Sequence, residues 1–471
     1  MRKSLAFVFL FFWGIAVPAA TPPIKASANK RYLVDQNNVP WMMVGDSAHR
    51  MICHVPQSSW AAYFQDRQAQ GFNTIDIFVM DGHSPCNGTG GAADGTLPFT
   101  SGSGPSSYDI STPNNAFWNE IDAYINQATS YGLVVSIDPA AWGNGFAIMY
   151  QNNGATKVFN WGAWLGNRYK NFPNIIWHTG QDFFTPSSSD VNLMAQLMAG
   201  IASTDSNHLD MFQAAPGSFS QQFNNQNATF AANLTLDFVY TYREVYDEVL
   251  QGYNFTGVLP TILPVIMGES NYETGNNTGA LSSPANDFIT RQEMWYAMTS
   301  GGAGHIFGNE HVNHFDSSYQ ANLDTAATAQ VKYLTQFFTQ YPWWTFTPDQ
   351  THVLVTAGYG TYNGGNENMY NATYAPTTWD GANYSFTYTP VATTLTVNMA
   401  KFSKASVTAQ WYDPSNGTYH IIAGSPFSNT GTQNFTTPGA NGAGANDWVL
   451  VLSTSTATAP APPTNLKATV Q

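Results

Sequence analysis

Between Trp41 and Tyr341 the chain repeats one pattern eight times, a short apolar β-branched run followed by a longer segment of helical period. The predicted strands are residues 41–45, 74–80, 133–138, 174–178, 208–213, 236–240, 262–268 and 304–307. Local signals mark the helices between them. Pro56 and Pro113 suit first helical turns, and Gly71 and Gly132 stand where a left-handed cap is wanted. Phe117, Ile121, Tyr124, Ile125 and Ala128 share one helix face, which reads as core. Eight βα units in roughly 300 residues are the content of a (β/α)8 TIM barrel. An open doubly wound sheet has similar content, but no Gly-x-Gly-x-x-Gly follows a strand to favour it.

After Tyr341 the apolar period becomes two, in residues 351–357, 384–389, 393–399, 406–412 and 448–453, which predicts a small antiparallel β-sandwich. Trp343-Trp344 at the junction reads as interdomain packing ahead of a sugar-stacking pair. From Thr454 the chain turns to Ala, Pro and Thr, as an extended linker would. Its last residues resemble the opening strand of a fibronectin type III module. At the other end, Met1-Arg2-Lys3 and the apolar run from Leu5 to Val17 have the form of a signal peptide, too short for the ~20 residues of a spanning helix. The expected plan is a signal peptide at 1–20, a catalytic barrel at 30–340, an accessory sandwich at 341–454 and a tail at 455–471. The protein is expected to be secreted or periplasmic, with no stable membrane span once the signal is cleaved.

Composition narrows the ligand. A net charge of -14, from 16 Lys+Arg against 30 Asp+Glu, offers no basic footprint for nucleic acid. Aromatic residues at 14% suit uncharged polar ligands whose apolar faces stack on rings. The two cysteines, Cys53 and Cys86, read alone as either a disulfide or two separate thiols. The barrel puts them in the loops after adjacent strands one and two, which favours the disulfide.

In a (β/α)8 barrel the reactive groups stand at the C-terminal ends of the strands. Collected there are Asp46 and His49, Asp81 and His83, Asp138 and Trp142, His178 and Asp182, Tyr242 and Arg243, Glu269 and Glu273, and Asn309, Glu310 and His311. Carboxylates, imidazoles and rings around one mouth are what cleavage of a glycosidic bond uses, one carboxylic acid protonating the leaving oxygen while a second carboxylate attacks. Asp182 ends the fourth strand in a Gly-containing turn and Glu269 directly follows the seventh, so the two can face one another across the mouth. Asp46, His49, His83, Trp142, Tyr242 and Arg243 are the expected substrate contacts. No metal or other cofactor is expected. His311 and His314 lack a His-Glu-x-x-His arrangement, Gly88–Gly91 lacks the Lys-Ser/Thr of a phosphate cradle, and no Gly-x-Ser-x-Gly elbow is present.

The segments Val44-Gly45-Asp46-Ser47-Ala48-His49-Arg50 and Tyr63-Phe64-Gln65-Asp66-Arg67-Gln68-Ala69-Gln70-Gly71-Phe72-Asn73-Thr74 resemble the opening of the apiosidase-like glycoside hydrolases. Trp411-Tyr412-Asp413-Pro414-Ser415-Asn416-Gly417 and Asp447-Trp448-Val449-Leu450-Val451-Leu452 are similar to the module that follows them, whose family name refers to collagen binding. The resemblance implies a (β/α)8 fold and cleavage of apiosyl linkages in a complex plant pectin, with an Asp acid/base after strand four and a Glu nucleophile after strand seven. Those roles fall on Asp182 and Glu269. Where the family has a Gly-Gly-Asp type turn, this chain has Gly180-Gln181-Asp182. The expectation is an exported, retaining glycoside hydrolase acting on an oligo- or polysaccharide. The alternatives are a glycan-binding protein on the same scaffold and, for want of any protease motif, more distantly a peptidase.

Overall fold

The computed structural model describes residues 20–454 except 84, 85, 87, 140, 141, 185, 259–261, 277, 278 and 366. The expected signal peptide, the tail and its fibronectin-like end therefore lie outside the described residues, apart from Ala20. Eight parallel strands form a curled sheet: β1 (Met43–Ser47), β2 (Thr74–Phe78), β3 (Val134–Asp138), β4 (Ile175–Thr179), β5 (Asp210–Phe212), β6 (Asp237–Tyr240), β7 (Val265–Glu269) and β8 (Gly304–Phe307). Their spatial order is β5-β4-β3-β2-β1-β8-β7-β6, with a ninth strand, Ser218–Phe219, antiparallel on β6.

The two ends of this sheet meet without a regular ladder. Met211 and Leu236 form a single parallel bridge, and the amides of Thr235 and Leu236 both donate to the Asp210 carbonyl, at 3.0 and 3.1 Å. Higher up, the Ser220 hydroxyl donates to the Phe212 carbonyl at 2.6 Å and accepts from the Phe238 amide at 2.8 Å. One side chain thus stands in for the missing rung between β5 and β6, satisfying buried backbone groups that would otherwise be orphaned.

All eight strands are buried along their whole length, because helices cover the outside and side chains fill the inside. The interior cluster includes Met43, Val134, Ile176, Met211, Phe238, Ile266 and Ile306. An N-terminal antiparallel sheet of Lys25–Ala26, Leu33–Val34 and Pro40–Trp41 adds Ile24, Leu33 and Trp41 to that cluster from the N-terminal end of the barrel strands. This small sheet takes Trp41 from the predicted first strand. Asn114, next to Pro113, caps the helix Asn115–Ser130 with its side chain, and Gly71 ends the helix Trp60–Gln70 at φ 92°.

The C-terminal part consists of two antiparallel sheets. The smaller joins Val355–Ala357, Thr394–Asn398 and Thr432–Thr436; the larger is centred on Tyr384–Thr389, Trp448–Ser453 and Ser406–Asp413. Leu450, Leu452 and Trp411 pack toward the small sheet with Leu395 and Val397. From the opposite face Phe386, Tyr388, Val449 and Val451 join Trp295, Phe337 and Phe338 of the barrel helices Asp287–Thr299 and Ala326–Thr339. The central sheet is therefore covered on both sides, which accounts for the unbroken apolar run Trp448–Leu452. Trp343 is buried at the junction, edge-on to Tyr32 with ring centroids 6.1 Å apart, and serves as packing.

One polar contact pins this apolar seam. Arg291 on a barrel helix donates from Nε and Nη2 to the two oxygens of Asp447 at 2.8 and 2.9 Å, all of it fully buried. Tyr388 and Asn441 complete the carboxylate shell at 3.0 and 2.7 Å. Removing Asp447 leaves the buried guanidinium with the more exposed Asp287 carboxylate, 3.3 Å from Nη1, as its remaining counter-charge, and takes away its two shortest bonds. Asp447→Ala is expected to destabilise the protein by about 3–5 kcal/mol in urea denaturation; a loss below about 1 kcal/mol would show that the pair contributes only orientation.

Candidate active site

Asp182 is set by an unusual turn. Gly180, Gln181 and Asp182 all have positive φ, 102°, 56° and 48°, which β4 enters directly. Only glycine fits the first position, since a Cβ there would lie 2.4 Å from the Gln213 carbonyl. The two left-handed non-glycine residues are strained, and the loop after β3 holds them. The Trp142 amide donates to the Gly180 carbonyl at 3.1 Å and the Gly143 amide to that of Gln181 at 2.8 Å. Gly143 approaches so closely that a Cβ would stand 2.3 Å from that of Asp182. The acid is thus presented by two loops clamped backbone to backbone.

Glu269 is aimed by a bulge. Val239 on β6 pairs with Met267, but the next residue, Tyr240, pairs with Glu269, so Gly268 is the extra residue in β7. Simple alternation from inward-facing Ile266 would turn Glu269 toward the helices; the bulge brings it level with inward-facing Tyr240. A Cβ on Gly268 would strike the Phe238 ring at 2.1 Å, so the bulge depends on glycine.

Phenols stand beside Glu269. Tyr242 donates to Glu269 Oε1 at 2.7 Å, and its hydroxyl lies 2.9 Å from that of Tyr240. Gln213 donates to Glu269 Oε2 at 2.7 Å. Burial pushes both carboxyls above the usual carboxylate range, and the charge of Asp182 pushes Glu269 further. Glu269 is met by two donors, Gln213 and Tyr242, that favour its ionised form, whereas Asp182 Oδ1 has no partner among the described residues.

Beneath this pair lies a buried charge. Asp76 on β2 receives His178 Nδ1 at 2.9 Å and His49 Nε2 at 3.1 Å. His49 Nδ1 accepts from the Asn313 amide at 2.9 Å, which leaves its proton on Nε2, facing Asp76. The Asp76 carboxylate raises His178 to about 9 against the opposing effect of burial, so His178 is an imidazolium at neutral pH, and Asp76 is held well below the ordinary range by its two imidazole partners. His49 also stacks on Phe78, centroids 3.7 Å apart.

The expected contact residues divide. Tyr242 touches Glu269 itself. His49 belongs to the network below the mouth, and His83 is exposed on the loop after β2, its ring 3.3 Å from Asp81. Arg243 is exposed beside the mouth. Trp142 is nearly buried, stacked near Tyr150 and edge-on to Phe183 at 4.8 Å, so its ring supports the Asp182 loop. Asp46 departs from expectation as a substrate contact. It is fully buried and turned to the helix Trp60–Gln70, where the Tyr63 hydroxyl and Arg67 Nη1 hold it. Alternation along β1 sends Asp46 outward, opposite to Met43, which sequence position at a strand end did not reveal.

Tyr240, Gln213, Gln181, Asp76 and Asn313 are polar groups around the site that their sequence positions did not mark. Tyr240 lies within a strand and Gln213 directly after one; Gln181 is fully buried with neither amide atom partnered among the described residues. Cys53 and Cys86 are joined by a disulfide with Cα atoms 5.4 Å apart. With His54 they form the metal-type ligand cluster found among the described residues, and the bond between the two sulfurs occupies them. His311 and His314 pair with Asp316 and Glu310, at 2.7 and 3.4 Å.

The chain belongs to the apiosidase-like family: residues 27–345 match its catalytic-domain model, and residues 363–453 match the model for a collagen-binding domain of a collagenase. Its fold is that of glycoside hydrolases. A family 5 glycoside hydrolase from Bacteroides vulgatus superposes with a TM-score of 0.76 at 19% identity, covering 92% of this chain and 95% of the other. A second solved glycoside hydrolase gives 0.76 at 20% identity over 93% and 98%. No curated protein sequence matches the chain. No described helix is long and apolar enough to cross a membrane.

The buried pair below the site generates a stability prediction. Asp76→Asn leaves the His178 imidazolium without its counter-charge and is expected to cost about 3–5 kcal/mol in urea denaturation. Because the folded His178 pKa is raised, its contribution in wild type is complete below pH ~6.5 and is lost as pH rises through about 9. A wild-type denaturation midpoint that does not fall between pH 7 and 10 would contradict the charged assignment.

Proposed function

We propose that this protein is a retaining glycoside hydrolase in which Asp182 is the general acid/base and Glu269 the nucleophile. The observation that carries the reading is the pair of buried carboxyls at the ends of β4 and β7, each raised by burial and one by the charge of the other, within an apiosidase-like domain. In the first step Asp182 gives its proton to the leaving oxygen as Glu269 bonds to the anomeric carbon. In the second, Asp182 takes a proton from water as that water displaces Glu269. The residues that do this are all the chain's own, and no cofactor enters the scheme.

The reading extends to a closed (β/α)8 barrel, supported by the Met211–Leu236 bridge and the Ser220 rung. It also extends to domains at 30–340 and 341–454, with the sandwich as a brace on the barrel through Arg291 and Asp447. Family membership supports an apiosyl linkage in a plant-type pectic side chain as the substrate, met by exposed His83 and Arg243 at the rim. A disulfide on the active face and the leader-like segment before residue 20 support export to a secreted or periplasmic location.

Turnover of pectic oligosaccharides and aryl apiosides, with the product anomer followed by NMR, tests this reading. Wild type is expected to retain configuration, Glu269→Gln to abolish turnover, and Asp182→Asn to lower kcat/KM by about 10²–10⁴-fold on substrates with poor leaving groups. Both carboxyls are raised, so the acidic limb of kcat/KM, which reports Glu269, is expected above the pH of an ordinary glutamate. Inverted product would overturn the nucleophile assignment, and binding without turnover would place the chain among glycan-binding proteins.

A further inference from the structure

Glu293 is a buried carboxyl to which the proposed chemistry gives no part. It lies in the helix Asp287–Thr299, 1% exposed, and forms no ion pair among the described residues. Arg291, on the same helix, is spent on Asp447 and Asp287. A carboxyl without a counter-charge is costly to bury unless hydrogen bonds satisfy it. The hydrogen bonds of Glu293 all come from one place. Ser270 Oγ donates to Oε2 at 2.9 Å, and the backbone and side-chain amides of Asn271 donate to Oε1 at 3.1 and 2.6 Å. These two residues directly follow Glu269.

The end of β7 has reason to be anchored. The bulge at Gly268 re-aims Glu269, and the outermost rung between β6 and β7 runs from the Thr241 amide to the Glu269 carbonyl at 3.0 Å. Past that rung the Asn271 backbone amide turns to the helix, and its side chain makes the crossing to the loop after β6. Asn271 Nδ2 carries two protons. One goes to Glu293 Oε1 and the other to the Tyr242 carbonyl at 3.1 Å. Tyr242 is the residue whose hydroxyl donates to Glu269 Oε1. A single side-chain amide therefore ties together the helix, the chain leaving Glu269 and the backbone of its phenol donor.

We infer that Glu293 is a positioning residue that fixes the aim of Glu269 through Ser270, Asn271 and the Tyr242 carbonyl. The inference rests on the nucleophilic role proposed for Glu269. No proton passes between the two carboxyls; Glu293 acts by holding backbone. Burial pushes it up to about 8 against its three donors, so the neutral carboxyl prevails at neutral pH. In that form Oε1 still accepts from Asn271, and a proton on Oε2 turns to Ser270 Oγ, since a hydroxyl serves as donor or acceptor. The staple is thus intact in either state. The same helix carries Arg291 and Trp295 into the seam with the sandwich, so the second domain fixes the helix on which the staple stands.

The test compares Glu293→Gln, Glu293→Met and Asn271→Ala. Gln keeps an acceptor for both Asn271 donors, and Met keeps the length of the side chain without its oxygens. Asn271→Ala keeps Glu293 and its bond to the backbone amide and cuts the link to Tyr242, so it carries the test should the Met variant not fold. Urea denaturation shows which variants are folded. On a glycoside that wild type turns over, the Met and Ala variants are expected to lose about 10–10²-fold in kcat with KM within about twofold, and Gln to stay within about threefold of wild type, because a misplaced nucleophile costs chemistry ahead of binding.

A second readout needs no turnover. In an Asp182→Asn background, which removes the coupled carboxyl, the Glu269 carboxyl carbon is titrated by ¹³C NMR, with Glu269→Gln assigning the signal. His49, Tyr242 and Tyr272, the other titratable groups bearing on Glu269, are retained throughout. Lost aim takes the Tyr242 donor off Glu269 and raises its midpoint by about one pH unit in the Met and Ala variants, while Gln leaves it in place. A carboxyl that only stabilises the fold would lower the urea midpoint and leave both kcat and the Glu269 titration unmoved, and that result overturns the inference. An equal loss in the Gln variant overturns it as well. Inactivity of wild type on every glycoside would overturn the enzyme reading, with the titration still deciding the role of Glu293.

Discussion

Two carboxyl groups share one buried site, and at neutral pH they cannot both be ionised without a large cost in a poorly solvated environment. Much of the surrounding structure holds that pair in place. Gln213 and Tyr242 both donate to Glu269, whereas Asp182 Oδ1 has no partner among the described residues, so the two carboxyls differ in their hydrogen bonds. The ion group below it, Asp76 with His178 and His49, places further fixed charge under the mouth and ties β1, β2 and β4 together.

Backbone geometry does the aiming. Three left-handed residues in succession present Asp182, and a single-residue bulge turns Glu269 inward. Both devices depend on glycines at close approaches: Gly143 and Gly180 at the acid, Gly268 at the base of Glu269. Irregularities of this kind carry strain and persist when their surroundings over-determine them. The surroundings here are the clamp from the loop after β3, the phenyl ring of Phe238, and a sheet buried on both faces. The sandwich adds stiffness from outside, through an aromatic seam against two barrel helices and the Arg291–Asp447 pair.

Much of this architecture was legible in the sequence because buried parallel strands announce themselves as apolar runs at regular spacing. All eight predicted strands overlap β1 to β8, and the strands predicted at 384–389 and 448–453 coincide with Tyr384–Thr389 and Trp448–Ser453. Ends were less legible. The seventh strand stops at Glu269 instead of Gly268, because the bulge lengthens it by a residue that no alternation pattern encodes. The N-terminal sheet and the Ser218–Phe219 strand escaped notice since each contributes only two-residue strands. Position at strand ends singled out Asp182 and Glu269 as candidates, and Asp46 could not be separated from them by the same rule. Its outward turn toward Arg67 is a matter of strand parity. Tyr240 was hidden for a related reason: within an apolar strand a tyrosine reads as core, and only its hydroxyl's neighbours reveal the polar task.

The central claim, that Glu269 bonds covalently to the sugar, is tested most directly by inactivating the enzyme with a slow fluorinated glycoside and sequencing the labelled peptide by mass spectrometry. The account predicts one sugar equivalent attached at Glu269, released with return of activity when an acceptor is supplied. A label on another carboxylate, or steady turnover of a reactive glycoside with no covalent intermediate, would contradict it.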